Sequence, residues 1–217
     1  MTALLQAQQV SYSYPQRGMV LDQANLSVYA GEKVSLEGSN GAGKTTLFNL
    51  LVGLNKPKAG HIFAFGKARI VEADFVEVRA KAGFLFQDPD DQLFCPTVLE
   101  DVAFGPMNQG KTPDEAKAVS LEVLDCLGMS GFEDRVTHQL SGGEKRLITL
   151  ASVLAMKPEV LLLDEPSNAL DKEARIRLID VLQSLSQAMI IISHEPSLLE
   201  ALVTRRTRLE GGKVLDV

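Results

Sequence analysis

The sequence of 217 residues contains few of the residues that build disulfide frameworks and metal centres. It has two cysteines, Cys95 and Cys126, and three histidines. The cysteines are far apart in the sequence, and neither belongs to a Cys-x-x-Cys pair. Small disulfide scaffolds and structural zinc sites need closely spaced sets of such residues. We therefore expect two reduced thiols and no site of either kind.

Long hydrophobic runs are also missing. Typical apolar stretches, such as Val160 to Leu163 and Ala188 to Ile192, are far shorter than the roughly 20 residues of a membrane-spanning helix. The first ten residues, MTALLQAQQV, lack the basic segment and apolar core of a secretory signal. We expect a chain that does not insert into a membrane, so any membrane contact would come through a partner.

Positive charge is in the minority. Lysine and arginine number 22 against 28 aspartates and glutamates, for a net charge of −6. This balance argues against a protein that binds nucleic acid by bulk charge, and no nucleic-acid partner is predicted. With 45% hydrophobic and 23% charged residues, the composition is that of an ordinary globular protein of one domain, with or without a subdomain.

Short buried strands alternate with helical patterns, which predicts an α/β fold with a mainly parallel sheet covered on both faces. Short N-terminal strands precede it. The segment 88–137 has helical periodicity instead, and Thr112 and Glu115 can form a capping box there. We predict a nucleotide-binding core at 1–87 and 138–217, with 88–137 as a helical subdomain. The helix after residue 43 is predicted from the spacing of Leu47, Leu50, Leu51 and Leu54, with Gly53 near its end as a stop signal.

A phosphate-binding loop is the strongest local signal. Gly38-x-x-x-x-Gly43-Lys44-Thr45 matches the P-loop pattern between a strand and a helix, and predicts a P-loop NTPase (RecA-like) that binds a nucleotide. Glycines let backbone N–H groups face phosphate oxygens, Lys44 brings positive charge to the β- and γ-phosphates, and Thr45 offers a hydroxyl to Mg²⁺. The predicted ATP-binding residues of this loop are Gly38, Ser39, Asn40, Gly41, Ala42, Gly43, Lys44, Thr45 and Thr46.

Two carboxylates end the buried strand at Val160 to Leu163. Ligands of parallel α/β sheets lie at the carboxyl ends of the strands, which puts Asp164 and Glu165 beside the phosphates. Asp164 suits a Mg²⁺ ligand. Glu165 is the candidate for orienting and polarising the attacking water.

A second anion-binding helix start is predicted at Ser141, Gly142, Gly143 and Glu144, where Ser-x-x-Glu forms a capping box. Lys145 and Arg146 fall in the first turn of that helix. One nucleotide needs one such cradle, so the second suggests a composite site completed by another subunit.

Together with Gln87, Asp171 and His194, these motifs resemble the ATP-binding cassette of ABC transporters over essentially the whole chain. The string Leu140 to Glu144 is similar to the family signature, with Glu144 where glutamine is frequent. The resemblance implies ATP hydrolysis by a head-to-tail pair of cassettes, in which Ser141 to Gly143 face the partner's ATP and Asp171 lies in a loop that crosses the dimer. It also implies that Tyr14 stacks on adenine and that His194 bonds the γ-phosphate. Gln87 would touch Mg²⁺ or the water and couple to the membrane partner.

The run from Gln87 to Phe94, with Thr97, Val98, Glu100 to Pro106 and Asn108, resembles the cobalt/nickel and energy-coupling-factor branch of that family. The resemblance implies a peripheral protein on the cytoplasmic face of the membrane. There it would energise uptake of nickel, cobalt or a vitamin through a transmembrane subunit. Leu93, Phe94 and Phe104 suit either a groove for an amphipathic helix of that subunit or the core.

Several alternatives stay open. A soluble ABC ATPase of DNA repair or translation is the competing function, and a P-loop kinase or switch protein is a third. The cargo, and the choice between identical and related cassettes in the pair, are not predicted. The sequence also departs from the family pattern in two places. Only 23 residues follow His194, which leaves open any regulation by a C-terminal segment of the kind that many relatives carry. Asn168 and Ala169 replace more usual residues. His61 and His138 are expected to be structural.

Overall fold

The computed structural model describes residues 2–217, so Met1, where the predicted core segment 1–87 starts, lies outside the described residues. Ten strands and seven α-helices form two sheets with helices around them. In chain order they are β1 (Leu5–Tyr14), β2 (Gly18–Val28), β3 (Lys33–Glu37), α1 (Lys44–Leu51), β4 (Ala59–Ala64), β5 (Lys67–Arg69), α2 (Glu72–Lys81), β6 (Ala82–Leu85), α3 (Val98–Asn108), α4 (Pro113–Cys126), α5 (Gly142–Ala155), β7 (Val160–Asp164), α6 (Lys172–Ser184), β8 (Ala188–Ile192), α7 (Pro196–Leu202), β9 (Arg205–Glu210) and β10 (Lys213–Asp216).

The central sheet has the strand order β10-β9-β3-β8-β7-β6, and all its pairs are parallel except β9 with β10. Every residue of β7 and β8 is buried, as the continuous apolar runs predict. The buried side chains form two hydrophobic cores, and those of β7 belong to them alternately. Val160 and Leu162 belong to the first core, and Leu161 and Leu163 belong to the second core. The mainly parallel sheet expected from the sequence is therefore confirmed.

The N-terminal strands form a separate antiparallel sheet of order β2-β1-β4-β5. Helix α1 lies between the two sheets, and its residues Leu47, Phe48, Leu50 and Leu51 are buried in the core that both sheets share.

Helix α1 is shorter than its apolar spacing predicts. It ends at Leu51, just before the predicted stop signal Gly53, so Leu54 lies outside the helix and its side chain is 50% exposed. Gly53 is the physical reason: it adopts a φ of +76°, and the amide of Leu54 turns back to donate to Asn49 O at 2.8 Å. A glycine in the left-handed conformation, followed by a backbone hydrogen bond to the residue five positions earlier, is a common way for a helix to end.

Segment 88–137 contains α3, α4 and a short 3₁₀ helix at Pro89–Asp91, and a second 3₁₀ helix, at Thr137–Gln139, starts at its last residue. Thr97 and Thr112 each close a capping box, with Glu100 and Glu115 as their partners. The predicted helix start at Thr112 is confirmed. Over residues 2–217, no helix combines the length and the apolar character needed to cross a bilayer.

Candidate functional site

The loop 38–43 connects β3 to α1 at the carboxyl edge of the central sheet. Gly38 and Gly43 have φ values of +144° and +111°, which L side chains rarely adopt. A Cβ on Gly38 would lie 2.6 Å from Leu209 O, and one on Gly43 would lie 2.6 Å from Val20 Cγ1. Glycine is therefore required at both positions by conformation and by space.

Lys44 begins α1 and lies in the concave side of this loop. Its side chain is buried, and its Nζ donates to Gly38 O at 2.6 Å and to Ser39 O at 3.1 Å. Burial lowers the pKa of Lys44, while the negative charges of Glu165 and Asp164 oppose that shift. The ammonium group of Lys44 is therefore held on the concave side of the loop.

Thr45 and Asp164 meet across the sheet. Thr45 Oγ1 donates to Asp164 Oδ2 at 2.6 Å, although β8 separates β3 from β7. Asp164 is buried, and burial raises the pKa of its carboxyl, while the Thr45 hydrogen bond and the charge of Arg146 oppose the rise. A hydroxyl and a carboxylate are hard oxygen ligands of the kind that Mg²⁺ prefers.

Glu165 and His194 lie side by side beyond the ends of β7 and β8. The backbone N–H of His194 donates to Glu165 Oε2 at 3.4 Å, and its Nε2 lies 3.6 Å from Glu165 Oε1. The same Nε2 is 3.2 Å from Asn40 Oδ1. Burial raises the pKa of Glu165, and the charge of His194 opposes the rise. Glu165 has a φ of +51°, a strained conformation of a kind that clusters at active sites.

A pocket of about 250 Å³ brings nine of the sequence-predicted residues together. Its walls come from the loop, from the start of α1 and from the ends of three strands. The lining residues are Arg17, Asn40, Gly41, Gly43, Lys44, Thr45, Thr46, Gln87, Asp164, Glu165 and Ile192.

The predicted signature residues lie apart from this pocket. The Ser141 N–H donates to Glu144 Oε2 at 2.7 Å, and Ser141 Oγ accepts from the Glu144 N–H, which confirms the capping box at the start of α5. They line a different cleft together with Ala169 and Asp171. Asp171 caps α6 by accepting from the Ala174 N–H at 2.8 Å. One chain therefore presents, in separate clefts, the two surfaces that the sequence predicts to bind anions.

Tyr14 lies at the end of β1 and does not line the pocket around Lys44. Its hydroxyl is hydrogen bonded to Thr46 Oγ1 at 3.1 Å, and its ring packs edge-on against Tyr12 at 5.0 Å. The hydroxyl of Thr46 thus has a protein partner, which the sequence did not predict.

Three cationic side chains at the site make contacts that the sequence analysis did not predict. Arg17, in the β1–β2 turn, donates to Gly41 O at 3.1 Å, and nothing in its sequence context signals this. Lys145 pairs with Asp90 at 2.6 Å. Arg146 is not on the anion-facing side of α5 but buried among backbone carbonyls. Its spacing of four and seven residues from Leu150 and Val153 is the signal that it faces inward.

The apolar residues Leu93, Phe94 and Phe104, before and within α3, divide between core and surface. Leu93 packs against the second hydrophobic core. Phe94 and Phe104 are 67% and 45% exposed, and their rings meet edge-on at 4.8 Å. Together with Phe84, Phe86, Met156 and neighbouring residues they line a mainly apolar cleft of about 230 Å³. We call this the Phe94–Phe104 cleft.

Comparison with known proteins agrees with this geometry. A family model described as ABC transporter matches residues 21–168. The energy-coupling factor transporter ATP-binding protein EcfA of Methanothermobacter thermautotrophicus is 43% identical over 216 residues, covering 98% of this chain and 70% of that protein.

Two solved structures share the fold. The structure of cbiO1 from Clostridium perfringens, described as part of the ABC transporter complex cbiONQ, has a TM-score of 0.85 and 31% identity, covering 99% of this chain and 88% of that one. The dimeric structure of MJ0796, described as a bacterial ABC transporter cassette, has a TM-score of 0.87 and 25% identity, covering 97% and 96%. This chain belongs to the ABC transporter family, as a subunit that binds and hydrolyses ATP.

Proposed function

We propose that this ATPase energises the uptake of a nickel or cobalt ion, or of a vitamin, through a membrane-embedded partner. The observation that carries the proposal is similarity over almost the whole chain to an energy-coupling factor ATP-binding protein and to cbiO1. The run from Gln87 to Asn108 supports the same branch. The alternative of a soluble ABC ATPase in DNA repair or translation has no comparable support.

ATP binding is assigned to the loop and its surroundings. The amides of 38–43 and the Lys44 ammonium receive the β- and γ-phosphates, and Tyr14 stacks on the adenine ring. Thr45, Asp164 and Gln87 would supply the oxygen ligands for Mg²⁺, and the 2.6 Å contact between Thr45 and Asp164 supports this assignment. A Mg²⁺ held by these residues would neutralise charge on the phosphate oxygens.

Hydrolysis is assigned to Glu165, His194 and Gln87. Glu165 orients and polarises the attacking water, and its raised pKa suits a group that accepts a proton. His194 hydrogen-bonds the γ-phosphate, with Asn40 near its ring. Catalysis is then mainly positioning and charge stabilisation by Lys44 and these side chains.

The second anion-binding surface is assigned to a partner cassette, identical or related. Ser141 to Glu144 face the ATP held by the loop of the other subunit, and Asp171 lies in the loop that crosses the dimer. Support comes from the separation of the two surfaces within one chain and from the dimeric form of a cassette with the same fold.

The transmembrane partner is assigned to the Phe94–Phe104 cleft, which lies between the helical subdomain 88–137 and the nucleotide-binding core. This docking would place the protein at the cytoplasmic face of the membrane. Exposed aromatic rings suit the apolar face of an amphipathic helix. Phe86 lines the same cleft and precedes Gln87 in the chain, so movement of that helix would reach Gln87 through Phe86.

The test is to isolate the complex from membranes, reconstitute it in vesicles and measure ATP-dependent accumulation of radiolabelled Ni²⁺, Co²⁺ and vitamins. We expect one cargo to accumulate with the wild type and none with Glu165→Gln. ATPase activity that is stimulated by DNA or ribosomes, with no membrane subunit co-purifying, would overturn the proposal.

A further inference from the structure

Arg146 lies where the two catalytic strand ends meet. Its side chain is 2% exposed, and its guanidinium donates to carbonyls on both segments. On the β6 side the acceptors are Phe86 O and, at 3.3 Å, Gln87 O. On the β7 side they are Asp164 O, Glu165 O at 2.6 Å and Pro166 O at 3.4 Å.

Burying the charged guanidinium of Arg146 costs free energy unless all of these carbonyl acceptors are present. Burial lowers the pKa of Arg146 to about 10, while the charges of Asp164 and Glu165 oppose the shift. The guanidinium therefore stays charged at neutral pH. A shorter or neutral side chain would leave several buried carbonyls without a donor. Lysine keeps the charge but lacks the planar fork that reaches two segments at once.

The same helix carries the signature residues. Helix α5 begins at Gly142, directly after Ser141, and Arg146 follows within its second turn. Lys145 adds a second link, because its Nζ contacts Asp90 Oδ1 in the 3₁₀ helix that follows Gln87. A displacement of the start of α5 therefore shifts the donors that hold the backbone of Gln87 and Glu165.

We propose that Arg146 is a positioning residue that couples the two ATP sites of the dimer. Contact of Ser141 to Gly143 with the partner's ATP sets the position of α5. Through Arg146, α5 then sets Gln87 and Glu165 in the chain's own site. This inference rests on the proposed pairing of cassettes.

The test compares Arg146→Lys with the wild type and with Arg69→Lys as a matched control. Arg69 is also buried, 7% exposed, and donates to the carbonyls of Ala64 and Asp74, but it lies on β5 away from the pocket. Steady-state ATPase rates against ATP concentration give kcat and the Hill coefficient, nucleotide titration gives the dissociation constant, and thermal unfolding reports stability.

We expect a wild-type Hill coefficient of about 2, the number of sites, falling to about 1 in Arg146→Lys. Its kcat should fall roughly 5- to 100-fold, with little change in the dissociation constant for ATP. Arg69→Lys should lower only the unfolding temperature. An Arg146→Lys variant that keeps both kcat and the Hill coefficient overturns the inference. A wild-type Hill coefficient of about 1 with a monomeric active protein instead overturns the proposed pairing.

A second measurement covers the case in which Arg146→Lys does not fold. Mixed dimers are assembled from one Glu165→Gln chain and one chain with Ser141→Arg, so that only the second chain can turn over ATP, and it does so against an intact partner signature. Coupling through α5 predicts slower turnover than with a Ser141 wild-type chain in the same dimer. Equal rates overturn the inference.

Discussion

Thr45 and Asp164 are joined by a 2.6 Å hydrogen bond that reaches over the end of β8. The bond fixes a hydroxyl and a buried carboxylate at one point beside Lys44. The two groups belong to different segments of the chain, so their contact shows that the loop and the end of β7 meet.

Replacing Thr45 by valine removes that hydroxyl while keeping the shape of the side chain. We expect the Mg²⁺ concentration that supports half-maximal ATPase activity to rise about 10- to 100-fold, because one oxygen ligand is lost. Thr45→Ser keeps the hydroxyl and should stay near the wild type. Titrating Mg²⁺ at fixed ATP, with EDTA as the zero point, measures this. An unchanged Mg²⁺ requirement in Thr45→Val would contradict the assigned ligand.

Glu165→Gln should retain ATP binding and lose turnover. The amide cannot accept the proton of the attacking water, so kcat should fall about 10²- to 10⁴-fold while nucleotide affinity is kept. Size-exclusion chromatography should show a dimer that persists in ATP and Mg²⁺. Glu122→Gln, which changes an exposed acid on α4, is the matched control. Full ATPase activity in Glu165→Gln would refute the catalytic role.

Asn40 is expected to steady the ring of His194 through the 3.2 Å contact of Oδ1 with Nε2. Its change to alanine removes one hydrogen bond and should lower kcat about 2- to 10-fold. His194→Ala should have the larger effect. Asn25→Ala, an exposed position on β2, serves as control. The assignment fails if Asn40→Ala turns over at the wild-type rate while His194→Ala is impaired.

The Phe94–Phe104 cleft is tested by a double change of its two phenylalanines to aspartate. We expect the membrane subunit to be lost from detergent-solubilised complexes, while ATP binding by the isolated subunit is kept. Ile176→Asp is the matched control, since Ile176 is also an exposed apolar residue but lies on α6 outside the cleft. Intact co-purification in the double variant would exclude this surface as the docking site.

Ala169 adopts a φ of +61°, in the left-handed region where a side chain with a Cβ is strained. Ala169→Gly should therefore raise the free energy of unfolding by about 1 kcal/mol. Ala118→Gly, an exposed position inside α4, should lower it by about 1 kcal/mol. Chemical unfolding monitored by circular dichroism measures both. A destabilised Ala169→Gly variant would show that the backbone there is not under strain.

The parts of this protein that follow local rules could be predicted from the sequence. The loop 38–45 combines glycines with a lysine, the caps at Thr112 and Ser141 have partners three residues away, and β7 and β8 are continuous apolar runs. Each of these depends on neighbours within a few residues. The structure places them as expected.

The parts that depend on distant neighbours could not be predicted. The acceptors of Arg146 come from segments about 20 and 60 positions away along the chain. The division of Leu93 to the core and Phe94 to the surface depends on how α3 packs against α5. The pairing of Tyr14 with Thr46 joins the antiparallel sheet to α1, and the sequence does not place these two elements relative to each other.

The separation of the two anion-binding surfaces within one chain has a consequence for the kinetics of the isolated subunit. If each reaction centre is shared by two chains, specific activity must rise with protein concentration and level off once assembly is complete. A cell that makes this subunit in excess of its partners would then accumulate chains that bind ATP without consuming it. Assembly itself would set the rate of ATP consumption.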